Sequence, residues 1–105
     1  MKIRQLLVLS ATLMFVSSAL ANDGQALLKK YNCATCHKMG KKTVGPGLEM
    51  IASKYKGDAS AQTMLEAKVR HGGKGSFGGM PMPPTPASVS DSDIKTLVSW
   101  ILSLK

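Results

Sequence analysis

The sequence predicts an all-α fold of about four helices joined by one long irregular loop. Apolar residues recur at helical spacing in four stretches, near residues 25–31, 48–55, 61–71 and 91–104. Between the last two, residues 72–89 hold five glycines and four prolines, a composition that excludes regular structure. No apolar run indicates a strand, and a chain of 105 residues suffices for one domain.

The first two helices are short and flank a pair of cysteines. Asn22 or Asp23 can cap the first helix, because a side-chain oxygen there accepts hydrogen bonds from the unpaired N–H groups of the first turn. The apolar face of this helix comprises Leu27, Leu28 and Tyr31. The second helix is expected to end near Gly57, and its face comprises Leu48, Ile51, Ala52 and Tyr55.

The third and fourth helices enclose the long loop. Ser60 can cap the third helix, which covers residues 61–71 and stops at Gly72-Gly73. The inward face of this helix is expected to comprise Met64, Leu65 and Val69. A capping box, Ser90-Asp91-Ser92-Asp93, opens the fourth helix. The face of that helix comprises Ile94, Leu97, Val98, Ile101 and Leu104, with Trp100 beside it.

Residues 1–21 are predicted to be a cleavable secretory signal peptide. Lys2 and Arg4 form a basic start, residues 6–16 a mostly apolar segment, and residues 19–21 a small-x-small cleavage pattern. The apolar segment is shorter than the roughly 20 residues that span a bilayer, so an uncleaved anchor is disfavoured. The protein that remains is expected to be one domain, residues 22–105, in the periplasm without stable membrane insertion.

The chemistry is concentrated in Cys33-Ala34-Thr35-Cys36-His37, because Cys-x-x-Cys-His is the attachment pattern of a c-type haem. Two thiols at this spacing can reach both vinyl groups on one edge of a porphyrin. An imidazole on the next residue is then held close to the iron. We therefore predict one covalently bound haem c, with thioethers from Cys33 and Cys36 and His37 as the proximal iron ligand.

Three other uses of the cysteines fit the sequence less well. A thioredoxin-like redox pair lies beside a βαβ pattern, and no strand run precedes this pair. A closed zinc site needs four ligands, which would have to be both cysteines and both histidines. A disulfide between Cys33 and Cys36 would close only a very small loop. Because His37 follows directly and an export signal precedes the motif, haem attachment is favoured.

A second iron ligand is expected from the methionines of the long loop. A thioether raises the reduction potential of a haem relative to a second imidazole. Met82 is favoured over Met80, because prolines on both sides of Met82 restrict its backbone and hold a weak ligand at little ordering cost. If both methionines only packed, the iron would keep an open site. The other methionines of residues 22–105 lie too near His37 or suit core packing better: Met39, Met50 and Met64.

The formal net charge of +8 could serve docking. Lysines follow the haem motif and precede the methionines, so a positive ring around an exposed haem edge would steer the protein to acidic patches on redox partners. A solvated basic face explains the same charge equally well, and nucleic acid is an improbable partner for an exported chain. The lysines concerned are Lys38, Lys41, Lys42 and Lys74.

The haem motif, Val44-Gly45-Pro46 and Gly79-Met80-Pro81-Met82-Pro83-Pro84 together resemble the small bacterial class I monohaem cytochromes c. Similarity runs over about residues 23–105 and is greatest to the short periplasmic carriers that supply nitrite reductases and terminal oxidases. Trp100 also matches. The resemblance implies a class I cytochrome c fold in which the first and last helices cross. It further implies that Met82 is the distal ligand and that the Pro46 carbonyl accepts a hydrogen bond from His37.

The sequence departs from the family at two places. Phe77, expected to pack on the haem, stands where close relatives often have a tryptophan, and it lacks the indole N–H that can bind a haem propionate. Propionate contacts are therefore expected to shift to Lys68, Arg70 or His71. Two extra residues are also expected between Pro84 and Ser90, where they lengthen the loop without touching its ligand.

The function implied is that of a monomeric, non-enzymatic carrier of single electrons. With His37 and Met82 both bound to iron, no position is free for a substrate. Two alternatives come from other classes of protein. One is a haem peroxidase or gas-sensing domain in which Met82 leaves the iron. The other is a dithiol–disulfide oxidoreductase that uses Cys33 and Cys36 without haem.

Overall fold

A computed structural model describes the backbone of residues 16–105 and the side chains from residue 23 onward. Its regular elements are α1 (Val16–Lys30), the 3₁₀ helix η1 (Cys33–Thr35), α2 (Leu48–Lys54), α3 (Ala61–His71) and α4 (Asp91–Leu102). Over this range the chain forms two isolated bridges but no strand. The prediction of an all-α fold with one long loop is confirmed. None of these helices is both long enough and apolar enough to cross a membrane.

The first helix begins earlier than predicted, so the expected cap at Asn22 or Asp23 is wrong for the uncut chain. α1 starts at Val16 and continues through both residues to Lys30. Residues 16–21 contain no glycine or proline, so nothing in this stretch interrupts the helix. The predicted cleavage position after residue 21 thus falls within α1. The remainder of the predicted signal peptide, residues 1–15, lies outside the described residues.

The first and last helices cross, as expected, at Gly24 and Trp100. Gly24 is buried, and a Cβ atom built on it would lie 2.2 Å from Cγ of Trp100. Only a residue without a side chain leaves room for the indole ring this close to the backbone of α1. Trp100, 4% exposed, therefore fills the crossing instead of lying beside the apolar face of α4.

The core lies along α4, whose buried side chains contact all three other α-helices. One cluster joins α4 to Leu28 of α1 and Leu48 of α2. A second cluster joins it to Val89 and to Leu65 and Val69 of α3. Leu104, predicted on the same face, lies beyond the end of the helix and is half-buried. The buried residues of α4 are Ile94, Leu97, Val98, Trp100 and Ile101.

The predicted capping box of α4 forms only in part. Ser90 is the N-cap, and its hydroxyl oxygen accepts a hydrogen bond from the backbone N–H of Asp93 at 3.1 Å. The Asp93 carboxylate instead accepts a hydrogen bond from the Tyr31 hydroxyl, which ties the end of α1 to the start of α4. This hydrogen bond is the main reason that the pKa of Tyr31 is raised.

Ser60 occupies the N-cap position of α3, as predicted, but its side chain makes no capping hydrogen bond, so that part of the prediction is wrong. Its hydroxyl donates to Oδ1 of Asp58 at 2.6 Å, and its N–H donates to the same oxygen at 2.9 Å. These two hydrogen bonds hold the pKa of Asp58 below its usual range. The turn formed by Asp58 thus occupies the hydroxyl that would otherwise cap the helix.

The two serines provide a matched test of helix capping. Ser90→Ala should lower the free energy of unfolding by about 1 kcal/mol, because it removes a side-chain cap bond. Ser60→Ala should lower it by less than half as much, because no cap bond is lost. Urea unfolding followed by circular dichroism measures both values. Equal losses for the two variants would contradict the assignment of the caps.

Candidate cofactor site

A largely apolar cleft with a volume of about 700 Å³ opens between the cysteine segment, α3 and the long loop. This volume lies in the range of roughly 300–1,000 Å³ that is usual for cofactor and ligand sites. The residues expected to carry the chemistry line it: Cys33, Cys36, His37, Pro46, Phe77 and Met82. The cleft also exposes core side chains of three helices: Leu28, Leu48, Leu97, Val98 and Ile101.

The two cysteines lie on one tight turn. η1 begins after Asn32, which adopts a left-handed conformation with φ of 60°. The N–H groups of Cys36 and His37 both donate to the carbonyl oxygen of Cys33, at 3.2 and 3.0 Å. Both thiols are free, and partial burial raises the pKa of the Cys33 thiol because a thiolate would lose hydration. The turn therefore presents both thiols and the imidazole to the same cleft.

The imidazole of His37 is oriented by the loop that follows it. Its Nδ1 atom lies 2.8 Å from the carbonyl oxygen of Pro46, the contact that the resemblance implies. With Nδ1 donating to that oxygen, Nε2 is the nitrogen that remains to bind a metal. Gly45 allows the close approach, since a Cβ atom there would lie 2.7 Å from Cε1 of His37. Sequence reasoning missed this role of Gly45, whose only signal was its place beside Pro46.

The backbone of Met82 is paired with Gly73, the residue just beyond the C-cap of α3. The N–H of Gly73 donates to the Met82 carbonyl at 2.8 Å, and the N–H of Met82 donates to the Gly73 carbonyl at 3.0 Å. Met82 is half-buried, whereas Met80 is 71% exposed. Both line the cleft, but only Met82 is held by paired backbone hydrogen bonds in the described range.

Two methionines expected to fill the core do not do so. Met64 is 42% exposed and lines the cleft, and Met50 is 36% exposed. Helical spacing placed Met64 correctly on the inward side of α3 but could not distinguish a core from a cleft wall. Met64 therefore belongs to the apolar lining of the site.

Phe77 lies at the cleft, half-buried, with Nζ of Lys54 5.0 Å from the centroid of its ring. Of the three residues expected to contact the propionates, Lys68 and His71 line the cleft. Arg70 does not line it, because its guanidinium is engaged by the segment that precedes α4. Of the three alternatives, the cleft lining therefore favours Lys68 and His71 over Arg70.

The lysines expected to form a docking ring divide into two groups. Lys74 lines the cleft, whereas Lys38, Lys41 and Lys42 are exposed around the segment that follows His37. Nζ of Lys38 donates to the carbonyl oxygen of Ala34 at 2.9 Å, inside the haem motif. Of the four charges, that of Lys74 lies at the cleft itself.

The donor set fits a covalently bound haem. It combines two free thiols at fixed spacing, an imidazole with one nitrogen already bonded, and an apolar cleft of suitable volume. No group of three or more His, Cys, Asp or Glu side chains within residues 16–105 could hold a metal ion on its own. A closed zinc site built from the cysteines and histidines is therefore unsupported.

Comparison with known proteins agrees with this fit. The sequence model of the cytochrome c family matches residues 21–105. Cytochrome c-552 of Nitrosomonas europaea is 46% identical over 96 residues, which covers 87% of this chain and 92% of that protein. Cytochrome c-551 of Pseudomonas aeruginosa is 39% identical over 106 residues and is matched along the whole of both chains.

A solved structure extends the similarity to the fold. The crystal structure of wild-type cytochrome c552 from Nitrosomonas europaea superposes with a TM-score of 0.72 at 47% identity. The match covers 77% of this chain and 99% of that one. Together with the cleft that holds Cys33, Cys36 and His37, these matches show that the chain belongs to the cytochrome c family and is an electron carrier with one covalently bound c-type haem.

Proposed function

We propose that this protein is a periplasmic carrier of single electrons whose haem iron is held by His37 and Met82. The observation that carries the proposal is the backbone pairing of Met82 with Gly73 at the cleft. A weak thioether ligand stays bound when its backbone is already fixed, because little conformational entropy is lost on ligation. The exposed and unpaired Met80 lacks this support.

His37 complements this arrangement. The hydrogen bond from Nδ1 to the Pro46 carbonyl selects the tautomer with a free Nε2 and makes the imidazole a stronger donor. The haem supplies the one-electron chemistry. The protein contributes two fixed ligands, excludes water with apolar side chains, and so favours the less charged ferrous state.

Two ligands fixed in this way leave no iron position for a substrate, so the protein is proposed to carry electrons without catalysing a reaction. We propose that it acts as a monomer in the periplasm, after removal of residues 1–21, between respiratory donors and a terminal reductase or oxidase. Its encounters with those partners would use small, short-lived interfaces at the cleft.

The spectrum of the purified holoprotein tests the ligand set. A low-spin ferric spectrum with a sulfur-to-iron charge-transfer band is the expected result. High-spin iron that readily binds carbon monoxide or peroxide would instead indicate the peroxidase or gas-sensor class. Protein purified without covalent haem from cells that mature c-type cytochromes would indicate a thiol function.

Charge reversal tests the proposed docking ring. Lys74→Glu should slow oxidation of the ferrous protein by ferricyanide at low ionic strength about threefold, because it inverts a charge at the cleft. Lys95→Glu makes the same change on an exposed position of α4 that does not line the cleft, and it should have a smaller effect. Stopped-flow rates measure both variants, and high salt should remove the difference. Equal slowing by the two variants would refute a local role for Lys74.

A further inference from the structure

The loop that carries Met82 returns to the end of α3 through Thr85. The last carbonyl groups of a helix have no partner within the helix. Thr85 supplies partners for two of them in α3. Its N–H donates to the carbonyl oxygen of Arg70 at 3.2 Å, and its hydroxyl donates to that of Val69 at 2.6 Å. Only Pro83 and Pro84 separate Thr85 from Met82, so this attachment follows the methionine directly.

The side chain of Arg70 binds the rest of the loop. Its Nη1 atom donates to the carbonyl oxygen of Pro86 at 3.0 Å, and its Nη2 atom donates to that of Val89 at 2.6 Å. Nη2 also lies 2.7 Å from Oδ1 of Asp91 in the first turn of α4. A planar guanidinium can hold several acceptors at once in a fixed arrangement. One side chain of α3 thus binds both the last part of the loop and the start of α4.

Met82 consequently lies between two attachments to the same helix end. Gly73 pairs with its backbone on the cleft side, and Thr85, with the segment that Arg70 binds, holds the chain beyond the prolines. Arg70 itself does not line the cleft, so its side chain makes no contact there. Its hydrogen bonds act on Met82 through the loop.

We propose that Arg70 is a positioning residue for the Met82 thioether. By holding Pro86 and Val89 against α3, Arg70 limits the excursions of the loop that would carry Met82 away from the iron. This inference rests on the proposed ligation by Met82. Loss of the guanidinium should raise the fraction of molecules in which Met82 has left the iron and its coordination position is open. An added ligand should then bind with an affinity that rises in proportion to that population.

Imidazole titration of the ferric holoprotein measures this population. Arg70→Met keeps most of the side-chain length and removes the hydrogen-bond donors. The variant should bind imidazole about tenfold more tightly, because the charged hydrogen bonds that hold the loop against α3 are lost. Arg70→Lys keeps the charge without the planar fork and should give a smaller increase. Loss of the sulfur-to-iron charge-transfer band reports the binding.

Gln62→Ala is the matched control for a loss of stability. Gln62 accepts from the hydroxyl of Ser99 at 3.1 Å and donates to the carbonyl oxygen of Lys95 at 3.2 Å, so it joins the opposite end of α3 to α4. Its replacement should lower the midpoint of urea unfolding while leaving imidazole affinity within about twofold of the original value.

The outcomes separate the two proposals. If the unmodified protein lacks the charge-transfer band, ligation by Met82 fails, and the role of Arg70 fails with it. If the band is present and Arg70→Met binds imidazole no more tightly than the unmodified protein, only the role of Arg70 is overturned. An equal increase in Gln62→Ala also overturns it. Should Arg70→Met not fold, Arg70→Lys replaces it with the same criteria.

Discussion

Replacement of Met82 by alanine is expected to lower the midpoint potential of the haem by about 0.2 V or more and to abolish the sulfur-to-iron charge-transfer band. Axial ligands tune haem potentials over roughly 0.8 V, and a thioether favours ferrous iron. Alanine cannot bind iron, so the sixth position would pass to water or another ligand. Potentiometric titration and the visible spectrum measure the two effects.

Met80→Ala is the matched control for this variant. Both methionines line the cleft, and they differ by only two positions in the chain. Met80, 71% exposed and without backbone pairing, should leave the band intact and shift the potential by less than about 0.05 V. If Met80→Ala abolished the band and Met82→Ala did not, the ligand assignment would be reversed.

Gly72→Ala is expected to lower the free energy of unfolding by about 3 kcal/mol and to weaken the charge-transfer band as well. Gly72 has φ of 65° and ψ of −152°, a conformation that is open in practice only to glycine. A Cβ atom at this position would also lie 2.3 Å from the carbonyl oxygen of Met82. The variant therefore combines backbone strain with displacement of the segment that carries the proposed ligand. Urea unfolding measures the first effect and the visible spectrum the second.

Gly57→Ala separates these two causes. Gly57 also has a positive φ, 77°, but a Cβ atom there would meet nothing within 4 Å. Its replacement should cost only the backbone strain, about 1 kcal/mol, and should leave the spectrum unchanged. Equal losses in the two variants would show that the close approach of Gly72 to Met82 contributes nothing.

Much of this fold could be predicted from local patterns. The predicted bounds of α3, residues 61–71, agree with the structure because an apolar face, a turn before it and Gly72-Gly73 after it all act within a few residues. The start of α1 was predicted wrongly, because a good capping residue does not begin a helix when no glycine or proline stops the helix from extending back through the residues before it.

The contacts that sequence reasoning missed are long-range. Nothing near Gly24 in the chain indicates Trp100, and nothing near Ser60 shows that Asp58 would occupy its hydroxyl. Arg70 was expected at the propionates because it is basic and lies near the loop. Two carbonyl oxygens of the loop and one carboxylate oxygen of α4 bind it instead. Side-chain type alone does not reveal which acceptors the fold will present.

Because Trp100 packs against Gly24, the fluorescence of its indole can report the separation of the two terminal helices. Trp100 is the single tryptophan of the sequence, and it lies where the two terminal helices meet. Trp100 packs in one cluster with Leu28, Leu97 and Ile101, which line the cleft, so we expect a haem bound there to quench the indole emission. Fluorescence should therefore brighten as soon as the two terminal helices separate. Comparing the onset of emission with the loss of visible absorbance would then show whether the terminal helices separate before or after the haem site is disrupted.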